Sequence, residues 1–391
     1  MNNLHEILRS YVDDGTIPGG VALRARGDHV ELAAVGSVDV DGTAPMARDT
    51  IFRIASITKQ VVAAAVMMLV EDGRIALDEP IGKWLPELVS PVVVRTPGGP
   101  VDDVVPANRP ITVFDLLTSR AGLGFPSDFD LPVIQVLLEE GQQKYGRAPQ
   151  HVVAPDEWME GLSNVPLVYQ PGQAWLYNTC SDIQGVLIAR VAGRPLPDFL
   201  AERIFEPLGM VDTGFFVPAA KIGRLTSYYH PDGAGGLDLA DAPAGEWSTP
   251  PRFPSGAGGL VSTADDWLAF ARLLLRGGTV GGTVGGPVGG RRLLSEESVR
   301  LMTVDHLTQG QRDASHLFLE RQGWGFGAAV DVSSGDPWNV AGRYWWTGGT
   351  GTTASLTPAT DTVSLLLTQV AMTGPTPTRL MRDVWTYAAQ R

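Results

Sequence analysis

Cysteine is almost absent from this 391-residue chain, which carries only Cys180. An internal disulfide framework and a thiolate metal cage are thereby excluded. Basic charge is scarce as well: 30 Lys and Arg stand against 43 Asp and Glu, a formal net charge of −13. A nucleic-acid binder draws much of its affinity from a basic footprint, and docking on anionic lipid also needs one, so neither partner is expected. The longest apolar stretch, Val61 to Val70, is too short to span a bilayer. The opening Met1-Asn2-Asn3-Leu4-His5-Glu6 has neither the basic nor the apolar part of a secretory signal, so the expectation is a soluble, cytoplasmic protein. The six histidines (His5, His29, His151, His230, His306, His316) show no His-x-His or His-Glu-x-x-His spacing, which disfavours a metallohydrolase. No Gly-x-Ser-x-Gly occurs, so the nucleophile elbow of an α/β-hydrolase has no candidate.

What is present is a chain able to bury a sizeable core, 44% hydrophobic and 19% charged. Leu4, Ile7, Leu8, Tyr11 and Val12 repeat at helical spacing up to Gly15. Two alternating runs, Val21-Leu23-Ala25 and Val30-Leu32-Ala34, flank Gly27-Asp28 and predict a β-hairpin. Near the other end, Thr352 to Leu356 and Thr362 to Thr368 are strand-like, and a helix is predicted from Thr378 to Ala389. Strands near both termini with helices outside them fit an antiparallel sheet built from both chain ends, an α+β arrangement. The middle is proline-rich, with helical stretches over Thr112–Arg120, Ser181–Ala192 and Asp198–Leu208. The predicted organisation is therefore an α/β lobe from residues 1–75 and 246–391 and a mostly helical lobe over 76–245. The glycine-rich run Gly277 to Gly290 cannot bury a core and is expected to be a flexible surface loop, with no lysine nearby to make it a phosphate cradle.

The sharpest chemical signal is Phe52-Arg53-Ile54-Ala55-Ser56-Ile57-Thr58-Lys59-Gln60, running into the apolar Val61 to Val70 and closing at Gly73. A helix apolar on nearly every face belongs in the middle of a molecule. Ser56 and Lys59, three residues apart at its start, share one face. A serine hydroxyl is a poor nucleophile without a base, and a lysine kept neutral by burial supplies one. The alternative is that Ser56 caps the helix and Lys59 is a solvated first-turn cation.

This segment resembles the serine beta-lactamase and penicillin-binding-protein superfamily, in the class C-related branch that includes the family VIII carboxylesterases. Asp115-Leu116-Leu117-Thr118-Ser119-Arg120-Ala121-Gly122-Leu123, Pro207-Leu208-Gly209-Met210, Gly258-Gly259-Leu260-Val261-Ser262-Thr263-Ala264 and Gly323-Trp324-Gly325-Phe326-Gly327 extend the resemblance along the chain. It implies a beta-lactamase/transpeptidase-like fold, an acyl-enzyme on Ser56, and no cofactor or metal. In Trp175-Leu176-Tyr177-Asn178-Thr179-Cys180-Ser181-Asp182 it marks Tyr177 as the tyrosine that shuttles the serine proton. Thr179 stands where the family has an asparagine and is expected to face substrate; Asn178, one residue early, is expected to point elsewhere. In Tyr344-Trp345-Trp346-Thr347-Gly348-Gly349-Thr350-Gly351-Thr352, Trp346, Thr347 and Gly348 are expected to bind substrate. The amides of Ser56 and Gly349 are expected to form an oxyanion hole. Trp346 replaces the lysine that would hold a substrate carboxylate, which points to a small-molecule ester with an apolar acyl group. Beta-lactamase or D,D-peptidase activity, acyl transfer to an alcohol or amine, and a non-catalytic binding protein are the alternatives.

Overall fold

The computed structural model describes residues 3–145, 148–281 and 290–390. Its centre is a seven-stranded antiparallel sheet. The strands are β1 (Gly19–Arg26), β2 (His29–Gly36), β3 (Gly323–Trp324), β4 (Ala329–Val330), β5 (Tyr344–Gly348), β6 (Thr352–Thr357) and β7 (Thr362–Thr368), in the spatial order β3-β4-β5-β6-β7-β1-β2. The N-terminal hairpin thus completes a sheet begun by the C-terminal strands. Leu23 of β1 faces Leu32 on one side and Leu365 on the other, and β1 and β7 are buried along most of their length.

Two amphipathic terminal helices cover this sheet. Helix α1 (Leu4–Asp13) starts at a capping box between Asn3 and Glu6. The last helix, Arg379–Ala389, reaches α1 through Asp383, which accepts a 2.6 Å hydrogen bond from the Tyr11 hydroxyl. Helix α2 (Thr58–Glu71) is buried at every position from Thr58 to Leu69, as its lack of a polar face requires, and packs against the largely buried α3 (Thr179–Ala192). No helix among the described residues is long and apolar enough to cross a membrane.

The middle of the chain is less purely helical than its sequence reads. It carries two ribbons, Val92–Val94 with Val104–Pro106 and Tyr228–Pro231 with Leu237–Asp241. The second joins the side of the main sheet through a parallel bridge between Tyr229 and Val370. The stretch expected to be helical over Asp198–Leu208 is three pieces: Leu196–Leu200, a wider turn Ala201–Phe205, and Glu206–Leu208. Pro207 has no amide proton for an α-helical bond, and the wide turn lies just ahead of it. Of the glycine-rich run, Thr279–Val280 pairs with Arg291–Arg292 as a short ribbon rather than an open loop. Residues 282–289 of that run lie outside the described residues.

Candidate active site

Ser56 lies on a 3₁₀ turn, Ala55–Ile57, that feeds directly into α2. No side chain caps this helix start, which removes the capping explanation for the serine. Ala55 takes φ +44°, a left-handed conformation that costs a non-glycine residue energy and bends the chain just before Ser56. The turn is clamped from the far end of the chain. The hydroxyls of Thr350 and Thr352 donate to the carbonyls of Arg53 and Ile54 at 2.5 and 2.9 Å. A Cβ on Gly348 would lie 2.5 Å from the Ile54 carbonyl oxygen and 2.2 Å from Thr352 Oγ1, so only glycine lets this hairpin close on the Ser56 turn.

Lys59 is 1% exposed, so it is not a solvated cation. Its Nζ donates to Ser56 Oγ (3.0 Å), Asn178 Oδ1 (2.9 Å) and the Ala257 carbonyl (2.6 Å). Burial pulls its pKa below the ordinary lysine value, against the opposing pull of Tyr177 and Asp182. Asn178 Oδ1 and the Ala257 carbonyl can only accept. A neutral amine therefore commits its two N–H groups to them and keeps its lone pair for the Ser56 hydroxyl. The loop carrying Ala257 can lie this close because Gly256 has no Cβ; one there would meet the Ser181 carbonyl oxygen at 2.2 Å.

The Tyr177 hydroxyl is 2.8 Å from Ser56 Oγ. The indole N–H of Trp346 donates to it at 3.0 Å. An indole nitrogen is a donor only, so the phenol oxygen accepts from Trp346 and keeps its own proton for Ser56. The Lys59 ammonium position lies 4.7 Å from the centroid of the Tyr177 ring.

The asparagine expectation is corrected here. Asn178 adopts φ +81°, ψ −69°, and the Thr179 amide donates back to the Tyr177 carbonyl at 3.2 Å, closing a γ-turn. That turn points the Asn178 side chain at Lys59, while its amide nitrogen donates to Gln143 Oε1 at 2.8 Å. Thr179 is 0% exposed, with its hydroxyl on Gln143, so it faces the interior and not substrate. Gly348 likewise faces the Ser56 turn, while Trp346, Thr347 and Gly349 line the cleft.

The cleft is a cavity of about 570 Å³ opening over Ser56. Strand β4 pairs with β5 only at Tyr344 and Trp345, leaving Trp346 and Thr347 as an edge that borders the cavity. The peptides around Gly349 are fixed: the Gly348 carbonyl accepts from Gly351 (3.0 Å) and the Gly349 carbonyl from Met372 (2.9 Å). One wall is aromatic, running from Trp346 through Tyr177 and Phe318 to Phe129 and Phe125 with ring centroids 4.8–6.0 Å apart. Phe125, Phe129, Phe318 and Asn178 carry no sequence motif of their own, since their convergence depends on the fold. Cys180, the residue after the γ-turn, is fully buried, which pushes its thiol up to about 12 and leaves it a packing residue.

The sequence profile of the family described as Beta-lactamase matches residues 4–385. Protein Rv1367c from Mycobacterium tuberculosis is 38% identical over 376 residues, covering 93% of this chain and 88% of that protein. Esterase EstB from Burkholderia gladioli is 32% identical over 274 residues, 64% of each chain. Among solved structures, that of EstCE1, described as a hydrolase with promiscuous acyltransferase activity, superimposes with a TM-score of 0.77 at 24% identity, over 98% of this chain and 96% of that one. With a family match over nearly its whole length and the fold to go with it, this chain belongs to the beta-lactamase family, within the serine beta-lactamase and penicillin-binding-protein superfamily.

Proposed function

We propose that the protein is a serine carboxylesterase that cleaves small-molecule esters with apolar acyl groups through a Ser56 acyl-enzyme. The observation that carries this reading is Ser56 Oγ held between Lys59 Nζ and the Tyr177 hydroxyl at the floor of an aromatic-walled cavity. As Ser56 Oγ bonds to the ester carbonyl carbon, its proton passes to the Lys59 lone pair. The carbonyl oxygen becomes an oxyanion held by the Ser56 and Gly349 amides. When the alkoxy C–O bond breaks, the leaving oxygen takes the Tyr177 proton, which Lys59 replaces. Water then attacks the acyl-enzyme, passing a proton to the Tyr177 oxygen while the Tyr177 proton moves to Lys59; the bond to Ser56 Oγ breaks, Lys59 returns the proton to Ser56, and the acid is released. Similarity to an esterase of Burkholderia gladioli supports this assignment, and Trp346 in place of a cation supports esters over carboxylate-bearing lactams. The same acyl-enzyme permits transfer to an alcohol, which the size and apolar lining of the cavity accommodate.

The test compares wild type with Ser56→Ala on p-nitrophenyl acetate, p-nitrophenyl butyrate and a chromogenic cephalosporin. The expected result is ester turnover that vanishes in the variant, with little cephalosporin opening. Dominant cephalosporin opening overturns the ester assignment, and ester turnover surviving in Ser56→Ala overturns the nucleophile.

A further inference from the structure

Asp182 is a buried carboxyl group for which the acyl-transfer steps above have no use. It lies one turn into α3, 6% exposed, and its Oδ1 accepts from the Ser255 hydroxyl at 2.6 Å and from the Ala257 amide at 3.0 Å. The Ser255 hydroxyl is also met by the amides of Ala257 and Gly258, at 3.2 and 3.1 Å. Ala257 is the residue whose carbonyl holds Lys59, so Asp182 grips one side of that residue and Lys59 the other. A second route joins the same two groups: Asp182 interacts with the Gln143 side chain, Gln143 Oε1 accepts from Asn178, and Asn178 Oδ1 accepts from Lys59. Lys59, Ala257, Asp182, Gln143 and Asn178 are thereby joined in a ring, and the last four line a pocket of about 10 Å³.

We propose that Asp182 is the positioning residue of the catalytic base: its carboxylate fixes the two acceptors that aim the Lys59 lone pair at Ser56 and supplies the counter-charge for the lysine. The inference rests on the Ser56–Lys59 reading above. The titratable groups facing Lys59 are Tyr177 from the cleft side and Asp182 from below, while Tyr145 lines the small pocket and Ser255 and Gln143 bring neutral dipoles. Burial lifts the Asp182 carboxyl and lowers Lys59, and the attraction between the two opposes both shifts. Removing the carboxylate charge therefore makes Lys59 easier to deprotonate and, as a weaker and less restrained base, slower to act.

The experiment measures kcat and kcat/KM on p-nitrophenyl butyrate from pH 5 to 10 for wild type, Asp182→Asn and Ser255→Ala, with Ser56→Ala as the reference for the nucleophile itself. Asp182→Asn keeps the shape and the acceptor oxygen but not the charge. The expected result is an acid limb displaced to lower pH by about one unit or more, the effect of losing a nearby opposite charge, with a plateau kcat reduced roughly tenfold and KM within about twofold. Ser255→Ala, which leaves the carboxylate in place, lowers kcat without moving the limb. An unmoved limb in a folded Asp182→Asn protein overturns the proposal, because a purely structural or permanently protonated Asp182 gives that outcome. If Asp182→Asn fails to fold, a limb displaced upward or a kcat unchanged in Ser255→Ala overturns it instead. Ester turnover that survives in Ser56→Ala marks failure of the underlying reading and not of this one.

Discussion

The γ-turn at Asn178 offers a test in which stability and catalysis separate. Substituting Asn178 by Ala or by Gly removes the same two side-chain hydrogen bonds, to Lys59 and to Gln143. The difference between the two variants is therefore a property of the backbone. At φ +81°, ψ −69° alanine keeps a strained conformation of about 1–3 kcal/mol, which glycine largely escapes. Glycine's extra freedom in the unfolded chain works the other way by about 0.4–1 kcal/mol. Asn178→Gly is thus expected to be more stable than Asn178→Ala by about 1 kcal/mol, the reverse of the usual order at an ordinary position. Urea unfolding followed by tryptophan fluorescence gives the two midpoints. Both variants leave a buried Lys59 N–H without its acceptor, and an unsatisfied buried donor costs about 1–3 kcal/mol. Each should lose roughly 10- to 100-fold in kcat on p-nitrophenyl butyrate, to a similar extent. An alanine variant as stable as the glycine one, or more so, refutes the strain argument. A kcat close to wild type in both refutes the role given to Asn178 in orienting Lys59.

Two further outcomes follow from the same geometry. Trp346→Phe keeps an aromatic wall but deletes the 3.0 Å donation to the Tyr177 oxygen, so kcat should fall roughly tenfold with KM within about twofold; a raised KM at unchanged kcat would reduce Trp346 to a wall of the cavity. Because Lys59 acts as the free amine and burial lowers its pKa, kcat/KM in the wild type should rise with pH along an acid limb lying below the ordinary lysine value of about 10.4 and level off above it; a limb at the ordinary value contradicts the buried-base assignment.

Much of this arrangement is legible from residue order because its causes are local. The apolar run after Lys59 has no polar face to expose, so it becomes a central helix, and Ser56 and Lys59 meet because they are one turn apart. The alternating runs at both ends read as strands, and they pair as such. What escapes the sequence is set by single backbone angles and by long-range closure. Counting positions after Tyr177 puts Thr179 in the site, but one γ-turn exchanges the roles of neighbours and sends Asn178 there. Asp182 reads as an acidic residue near a helix start, and only the approach of the Ser255–Gly258 segment turns it into a partner of the base. The glycine at 348 looks like a substrate-facing position until the Ile54 carbonyl is seen to occupy the space its side chain would need.

The placement of β1 between β2 and β7 has a consequence for biosynthesis. The segment holding Ser56 and Lys59 leaves the ribosome well before Gly349 and Met372, and Gly20 finds its partner only once Thr368 has emerged. Until then the hairpin of β1 and β2 shows an unpaired apolar edge, a feature that invites self-association in a nascent chain. A ribosome that stops short of β5 therefore releases a polypeptide with Ser56 and Lys59 but neither the clamp on their turn nor the strand edge that borders the cleft. Such a fragment has no formed cleft, so the order of synthesis puts assembly of the site after the later strands.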